Sequence, residues 1–190
     1  MKKLQHLIAF TLIFIFILPI AVLAAEKPRV KIETSMGNII LELDPEKAPA
    51  NVKNFLQYVN GAYYDGLIFH RVIKGFMIQT GGYDADGKSR PALKPVINES
   101  LHGLKNKKWT VAMARSDDAD SATTQFYINT RNNKNLDATR KKKGYTVFGR
   151  VVEGINVVKA IEKVEVGPDL YLGKHRPVDD VFVIKARVIK

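Results

Sequence analysis

No cysteine occurs anywhere in the 190-residue chain. Disulfides, a thiolate nucleophile and lipid attachment at a processed N-terminal cysteine are therefore excluded. Histidine is scarce, with four in all, and His102 and His175 sit in polar context without metal-ligand spacing. Asp84-Ala85-Asp86-Gly87 has the opening of a calcium loop, but the remaining ligands and the terminal glutamate are missing. Acids are outnumbered, 19 against 30 Lys and Arg, giving a formal net charge of +11. No internal repeat, low-complexity tract or linker divides the chain.

There is one long apolar run, at the start. Met1–Lys3 is short and positive, Leu7–Leu18 is almost wholly apolar, and Pro19 and small residues lead to Ala24-Ala25. This is the layout of a secretory signal peptide over residues 1–25, and cleavage after Ala24 or after Ala25 fits equally. The alternative is an uncleaved anchor, for which the run is short against a span of ~20 residues. Membrane contact is expected only during export. The remaining chain, 26–190, suits one domain with a full core and no disulfides to help it. Without Lys2 and Lys3 the charge falls to +9, since no acid precedes Glu26. On an exported protein such a surface serves solubility or attraction to acidic partners, and a nucleic-acid reading on charge alone is set aside.

Strand signals dominate. Arg29–Thr34 and Ile39–Leu43 flank the turn Ser35–Asn38 as a hairpin. Val52, Phe55, Leu56 and Val59 recur at spacings of three and four, predicting a helix over Pro49–Asn60 that Gly61 stops. Tyr83–Pro95 reads as a loop. Trp109–Ala114, Gln125–Asn129 and Thr146–Val152 read as strands, with a polar connection over 131–144. A short helix fits Ile155–Ile161, and Val178–Ile189 closes the chain as a strand beside the opening hairpin. The pattern predicts one mainly-β domain, sandwich or barrel.

The most informative stretch is Phe69–Gly82, FHRVIKGFMIQTGG. Leu67–Ile73 reads as a strand, and alternation sets Arg71 with Phe69 and Ile73, opposite His70 and Val72. A guanidinium in so apolar a strand is costly to bury alone, so it must face a groove or a partner. Gln79, beyond the Lys74-Gly75 break, is the next side chain able to fix it. Arg71, Phe76, Met77 and Gln79 are thus expected to line one site.

With Met113-Ala114, Gln125-Phe126 and Val147–Val151 following in order, the chain resembles the cyclophilin family of peptidyl-prolyl isomerases. The likeness covers essentially the whole of 26–190. It is most similar to the bacterial exported branch, where Ala112–Arg115 and Gly144-Tyr145 are typical, and this implies a periplasmic location. The implied fold is a closed eight-stranded antiparallel β-barrel capped by two helices. The implied activity is cis–trans isomerisation of X–Pro bonds in exported, partly unfolded chains, by a monomer without cofactor or metal. A peptide-binding chaperone with incidental isomerase activity is the alternative.

Amide resonance gives the X–Pro bond a barrier of ~18–20 kcal/mol. In the twisted transition state that resonance is lost and the prolyl nitrogen regains a lone pair. A fixed cation with several N–H donors can then stabilise the twisted state over the planar one. By resemblance, Arg71 is this group and Gln79 orients it. Phe76, Met77, Tyr127 and Leu136 would line the proline recess, with Tyr145 at a further pocket position. The backbone at Ala114 and Arg115 would take the substrate chain in extended form, and Gln125 would add a polar contact. His70 is read as structural. Asn135 stands where drug-sensitive members carry Trp, so cyclosporin binding is expected to be weak. Trp109, the single tryptophan, lies on another strand. Tyr127 replaces the common Phe and places a hydroxyl at the pocket rim that needs a partner.

Overall fold

The computed structural model describes residues 26–189, so the expected signal peptide lies outside the described residues. Two strands open the domain, β1 (Arg29–Thr34) and β2 (Gly37–Leu43), and helix α1 (Pro49–Asn60) follows. Next come β3 (Arg71–Ile73), β4 (Met77–Thr80), β5 (Thr110–Met113) and β6 (Phe126–Asn129). The chain closes with β7 (Val147–Glu153), α2 (Ile155–Ile161), β8 (Val166–Asp169), β9 (Gly173–Pro177) and β10 (Val183–Ile189).

Eight strands form one antiparallel sheet in the order β10-β1-β2-β7-β5-β6-β4-β3. β10 lies beside β1, as the hydrophobic pattern predicts. The expected closed barrel is corrected. No ladder joins the end strands β10 and β3, and the sheet is an open half-barrel. Its edges approach only through the isolated bridge Ile68–Phe182 and bonds such as Phe69 N–H to the Val181 carbonyl, 2.8 Å. That local pairing also explains why β3 begins at Arg71 rather than Leu67. Residues 67–69 face the other edge before the chain turns into register with β4.

The inward sheet face and both helices share one core. Phe55 of α1 sits at its centre, with ring centroids 5.4 Å from Tyr64, 5.2 Å from Phe126 and 5.1 Å from Phe148. Full burial of a side chain of this size contributes about 1.5–3 kcal/mol. Ala48 cannot cap α1 with its side chain. The buried Glu99 carboxylate does so instead, accepting the Ala50 and Asn51 N–H groups at 3.1 and 3.0 Å. A carboxylate at this end satisfies orphan donors and meets the positive end of the helix dipole.

The expected closing strand Val178–Ile189 begins only at Val183, and the hairpin β8–β9 before it is not expected from the sequence. Gly167, Pro168 and Pro177 interrupt its pattern, and neither strand has an alternating buried face. Arg176 anchors it by ion pairs to Asp169 and Asp180, both 2.8 Å.

Candidate active site

The two-residue period of three neighbouring strands builds the site. On β3, Val72 points into the main core while Arg71 and Ile73 point outward. On β4, Ile78 and Thr80 point in while Met77 and Gln79 point out. On β6, Phe126 and Ile128 point in and Tyr127 points out. Register then aligns Arg71 with Gln79, Gln79 with Tyr127, and Tyr127 with Ala112 of β5. Met77, Ala112, Tyr127 and Val147 form a second apolar cluster on this outer face, separate from the main core.

Over that cluster lies a recess of about 300 Å³. Phe76, Met77, Tyr127, Leu136 and Tyr145 supply its apolar wall, and Arg71, Gln79, Ala114 and Arg115 complete it. Nine of the ten expected residues are thus brought together. Gln125 stands beside them in an adjoining polar groove that shares Gln79, Ala114 and Arg115 with the recess. A larger cavity, about 430 Å³ near Lys27, Glu42 and Arg150, lies away from these groups. Size alone does not locate the chemistry here.

Arg71 donates from Nη1 to the Gln79 side-chain oxygen at 3.2 Å, and Gln79 Nε2 donates to Gln125 Oε1 at 2.8 Å. Among the described residues Arg71 has no carboxylate partner. Its half-buried charge therefore faces the recess with donors unspent. Gly82 makes room for Gln125. A Cβ at position 82 would lie 2.6 Å from Gln125 Nε2. The Arg115 guanidinium lies 4.5 Å above the Tyr145 ring centroid and donates to the carbonyls of Ser116 and Asp117 at 2.7 and 3.2 Å. The Ala114 N–H is already committed to the Gln125 carbonyl at 2.9 Å.

The Tyr127 hydroxyl is not at the rim. It is buried and donates to Asn106 Oδ1 at 2.8 Å. Burial pushes its phenol well above the usual range, so it remains a neutral donor. Asn106 belongs to a buried network that the sequence reading missed. Asn129 Nδ2 also donates to Asn106 Oδ1, at 3.3 Å. Asn133 Nδ2 donates to Asn129 Oδ1 at 2.7 Å and to the Phe76 carbonyl at 2.9 Å. Asn106 Nδ2 reaches the carbonyls of Leu136 and Tyr145 at 3.2 and 3.4 Å. Three asparagines thereby hold the backbone of three recess residues. The available signal was an asparagine ending the apolar run FYIN, a side chain that must find partners if buried.

His70 lies off the recess, 4% exposed, with its ring 4.8 Å from that of Tyr83 and Nδ1 without a partner. Burial, then the neighbouring Arg71 charge, lowers its pKa to about 4. It is neutral at pH 7. Phe69, expected beside Arg71, is in the main core instead, because residues before Arg71 are not in regular strand. Among the described residues no cluster of acids and histidines could hold a metal ion.

Known proteins resemble this chain over most of its length. The family model for cyclophilin type peptidyl-prolyl cis-trans isomerases matches residues 29–188. Peptidyl-prolyl cis-trans isomerase A of Dickeya dadantii is 45% identical over 170 residues, covering 88% of this chain and 87% of that one. The isomerase cyp18 of Streptomyces antibioticus is 47% identical over 165 residues, covering 84% and 98%. A solved Cryptosporidium parvum cyclophilin type isomerase, crystallised in the presence of the dipeptide Ala-Pro, superposes with a TM-score of 0.66. It is 25% identical, and 85% of this chain and 99% of that chain are covered. This chain belongs to the cyclophilin family of peptidyl-prolyl cis-trans isomerases.

Proposed function

We propose that the protein accelerates X–Pro isomerisation in exported, partly unfolded chains, with Arg71 acting on the prolyl nitrogen. The observation that carries this reading is a guanidinium without a carboxylate partner among the described residues, fixed opposite Gln79 beside a recess of about 300 Å³ with an apolar wall. The ring enters the recess over Met77 and Phe76, which favours binding through burial. As the amide twists, the prolyl nitrogen gains a lone pair, and an Arg71 N–H meets it. This contact is worth more in the twisted state than in either planar isomer, which is the condition for a faster rate. Gln79 and Gln125 keep the guanidinium from rotating away. No bond is made or broken, so no nucleophile or general base takes part, and His70 stays neutral outside the recess.

Residues 1–25 are proposed to direct export to the periplasm, and 26–190 to form the isomerase domain, acting as a monomer. NMR exchange on an Ala-Pro peptide tests the catalytic assignment. Arg71→Ala is expected to lose most of the acceleration while still binding peptide. Equal acceleration by wild type and variant would sink the catalytic assignment of Arg71, and a wild type that binds the peptide without accelerating its exchange would leave a peptide-binding chaperone.

A further inference from the structure

The recess wall carries a loop whose charge the isomerase reading leaves unused. The Tyr145 N–H donates to the Leu136 carbonyl at 2.9 Å, so residues 137–144 leave and rejoin the site between two of its lining residues. The loop is tied internally, with the Thr139 N–H on the Lys142 carbonyl at 2.9 Å and the Lys141 N–H on Thr139 Oγ1 at 3.3 Å. At its return, buried Gly144 donates to Ser100 Oγ at 2.9 Å. A Cβ at Gly144 would come 2.3 Å from Ala138 N and 2.5 Å from Leu136 O. Only glycine lets the loop fold this closely onto the wall.

Four consecutive cations, Arg140–Lys143, occupy its exposed edge. Lys143 is paired with Asp120 at 2.8 Å. Among the described residues the side chains of Arg140, Lys141 and Lys142 meet no carboxylate and no hydrogen-bond partner. An extended chain advances at most ~3.3–3.6 Å per residue, so Arg140 lies within ~14 Å of Leu136 and Lys142 within ~11 Å of Tyr145, Cα to Cα. Both bounds fall well inside a screening length of ~30 Å in dilute salt, which shrinks to ~8 Å at physiological salt. Arg71 and Arg115, neither of them ion-paired among the described residues, add positive charge at the recess itself. Opposing acids are few. Asp137 keeps its charge while accepting the Asn106 N–H at 2.7 Å, Asp120 is paired with Lys143, and Asp117 and Asp118 are exposed.

We propose that this site prefers proline-containing chains bearing a carboxylate side chain within a few residues of the proline, drawn to Arg140, Lys141 and Lys142. The proposal rests on the recess being the prolyl site. It assigns the loop a part in substrate choice, with no part in the bond rotation.

NMR exchange on three otherwise identical peptides tests it, with Glu, Gln or Lys placed near the proline on either side. At about 10 mM salt, kcat/KM for the wild type should rank Glu over Gln over Lys, with about fivefold between the extremes, shrinking to within about twofold at 0.5 M salt. The triple variant Arg140→Ser, Lys141→Ser, Lys142→Ser should turn over the Gln peptide unchanged and lose the ranking. Lys142→Glu alone serves if the triple variant does not fold, and it must lower the Glu-to-Lys ratio. Equal wild-type turnover of all three peptides in dilute salt, or a ranking that survives the substitutions, overturns the proposal. Turnover of none of them defeats the isomerase reading. Titration of the same peptides then scores the preference alone, and equal affinities overturn it.

Discussion

Arg71 and Gln79 stand directly opposite each other on β3 and β4, and one hydrogen bond of 3.2 Å joins their side chains. The turn between them is closed by the Phe76 N–H on the Ile73 carbonyl at 3.0 Å, and Glu162 accepts the Gly75 N–H at 2.8 Å. The orientation of the guanidinium is thus fixed by backbone register as well as by its partner. Arg71→Lys keeps the charge but loses the planar fork of donors. It is expected to lower kcat by about 10²-fold, the scale for losing one preorganised donor. Gln79→Ala should cost less, about tenfold, mostly in kcat, because Arg71 remains but is free to turn. Exchange spectroscopy across a range of peptide concentrations separates the two constants.

Asn133 bridges Asn129 and the Phe76 carbonyl, and it is fully buried. In Asn133→Ala the Asn129 side-chain oxygen loses this donor while the Phe76 carbonyl keeps the Thr130 N–H at 3.0 Å, at a cost of about 1–3 kcal/mol for the one buried unsatisfied group. Urea unfolding should register that loss, and KM for a prolyl peptide should rise modestly as the Phe76 carbonyl loses one of its two donors. Tyr127→Phe removes a single bond to Asn106, which still receives Asn129. The expected loss is about 1 kcal/mol, with turnover nearly unchanged.

The contrast between these residues explains how much of the site was legible. Arg71, Met77, Gln79 and Tyr127 share a face because strand side chains alternate, and alternation is visible in sequence. Beneath them Asn129 and Asn133 lie four residues apart, but Asn106 reaches them from a distant loop. No local pattern links Asn106 to the other two. The open seam was invisible for a similar reason. Whether β3 and β10 pair depends on where each strand starts, and residues 67–69 and 181–183 look strand-like while meeting one another only in isolated contacts. The hairpin β8–β9 lacks a buried face, so hydrophobic periodicity had nothing to register.

Asn135 lies exposed in the short 3₁₀ turn Lys134–Leu136, next to Leu136 of the recess wall. A small polar side chain there offers little apolar area to a large cyclic ligand. Inhibition by cyclosporin is therefore expected only well above the submicromolar range, and Asn135→Trp should tighten it by adding a large ring at the wall. Submicromolar inhibition of the unaltered protein would contradict the assignment of this position.

His70 gives the fold a pH dependence of definite sign. Its pKa, about 4 when folded, lies below the ordinary value of 6.5 because burial and then the Arg71 charge oppose protonation. Between these values the unfolded chain binds the proton and the folded chain does not, so stability rises with pH. The contribution is fully present above about pH 6.5 and is lost as pH falls through about 4; a difference of this size corresponds to roughly 3 kcal/mol. Denaturant unfolding of wild type at pH 4.5 and at pH 7 should show most of this difference, about 2 kcal/mol, on top of that from other groups, whereas His70→Gln should lack it. An imidazole proton resonance that titrates near 6.5 in the folded protein would contradict the buried, neutral assignment.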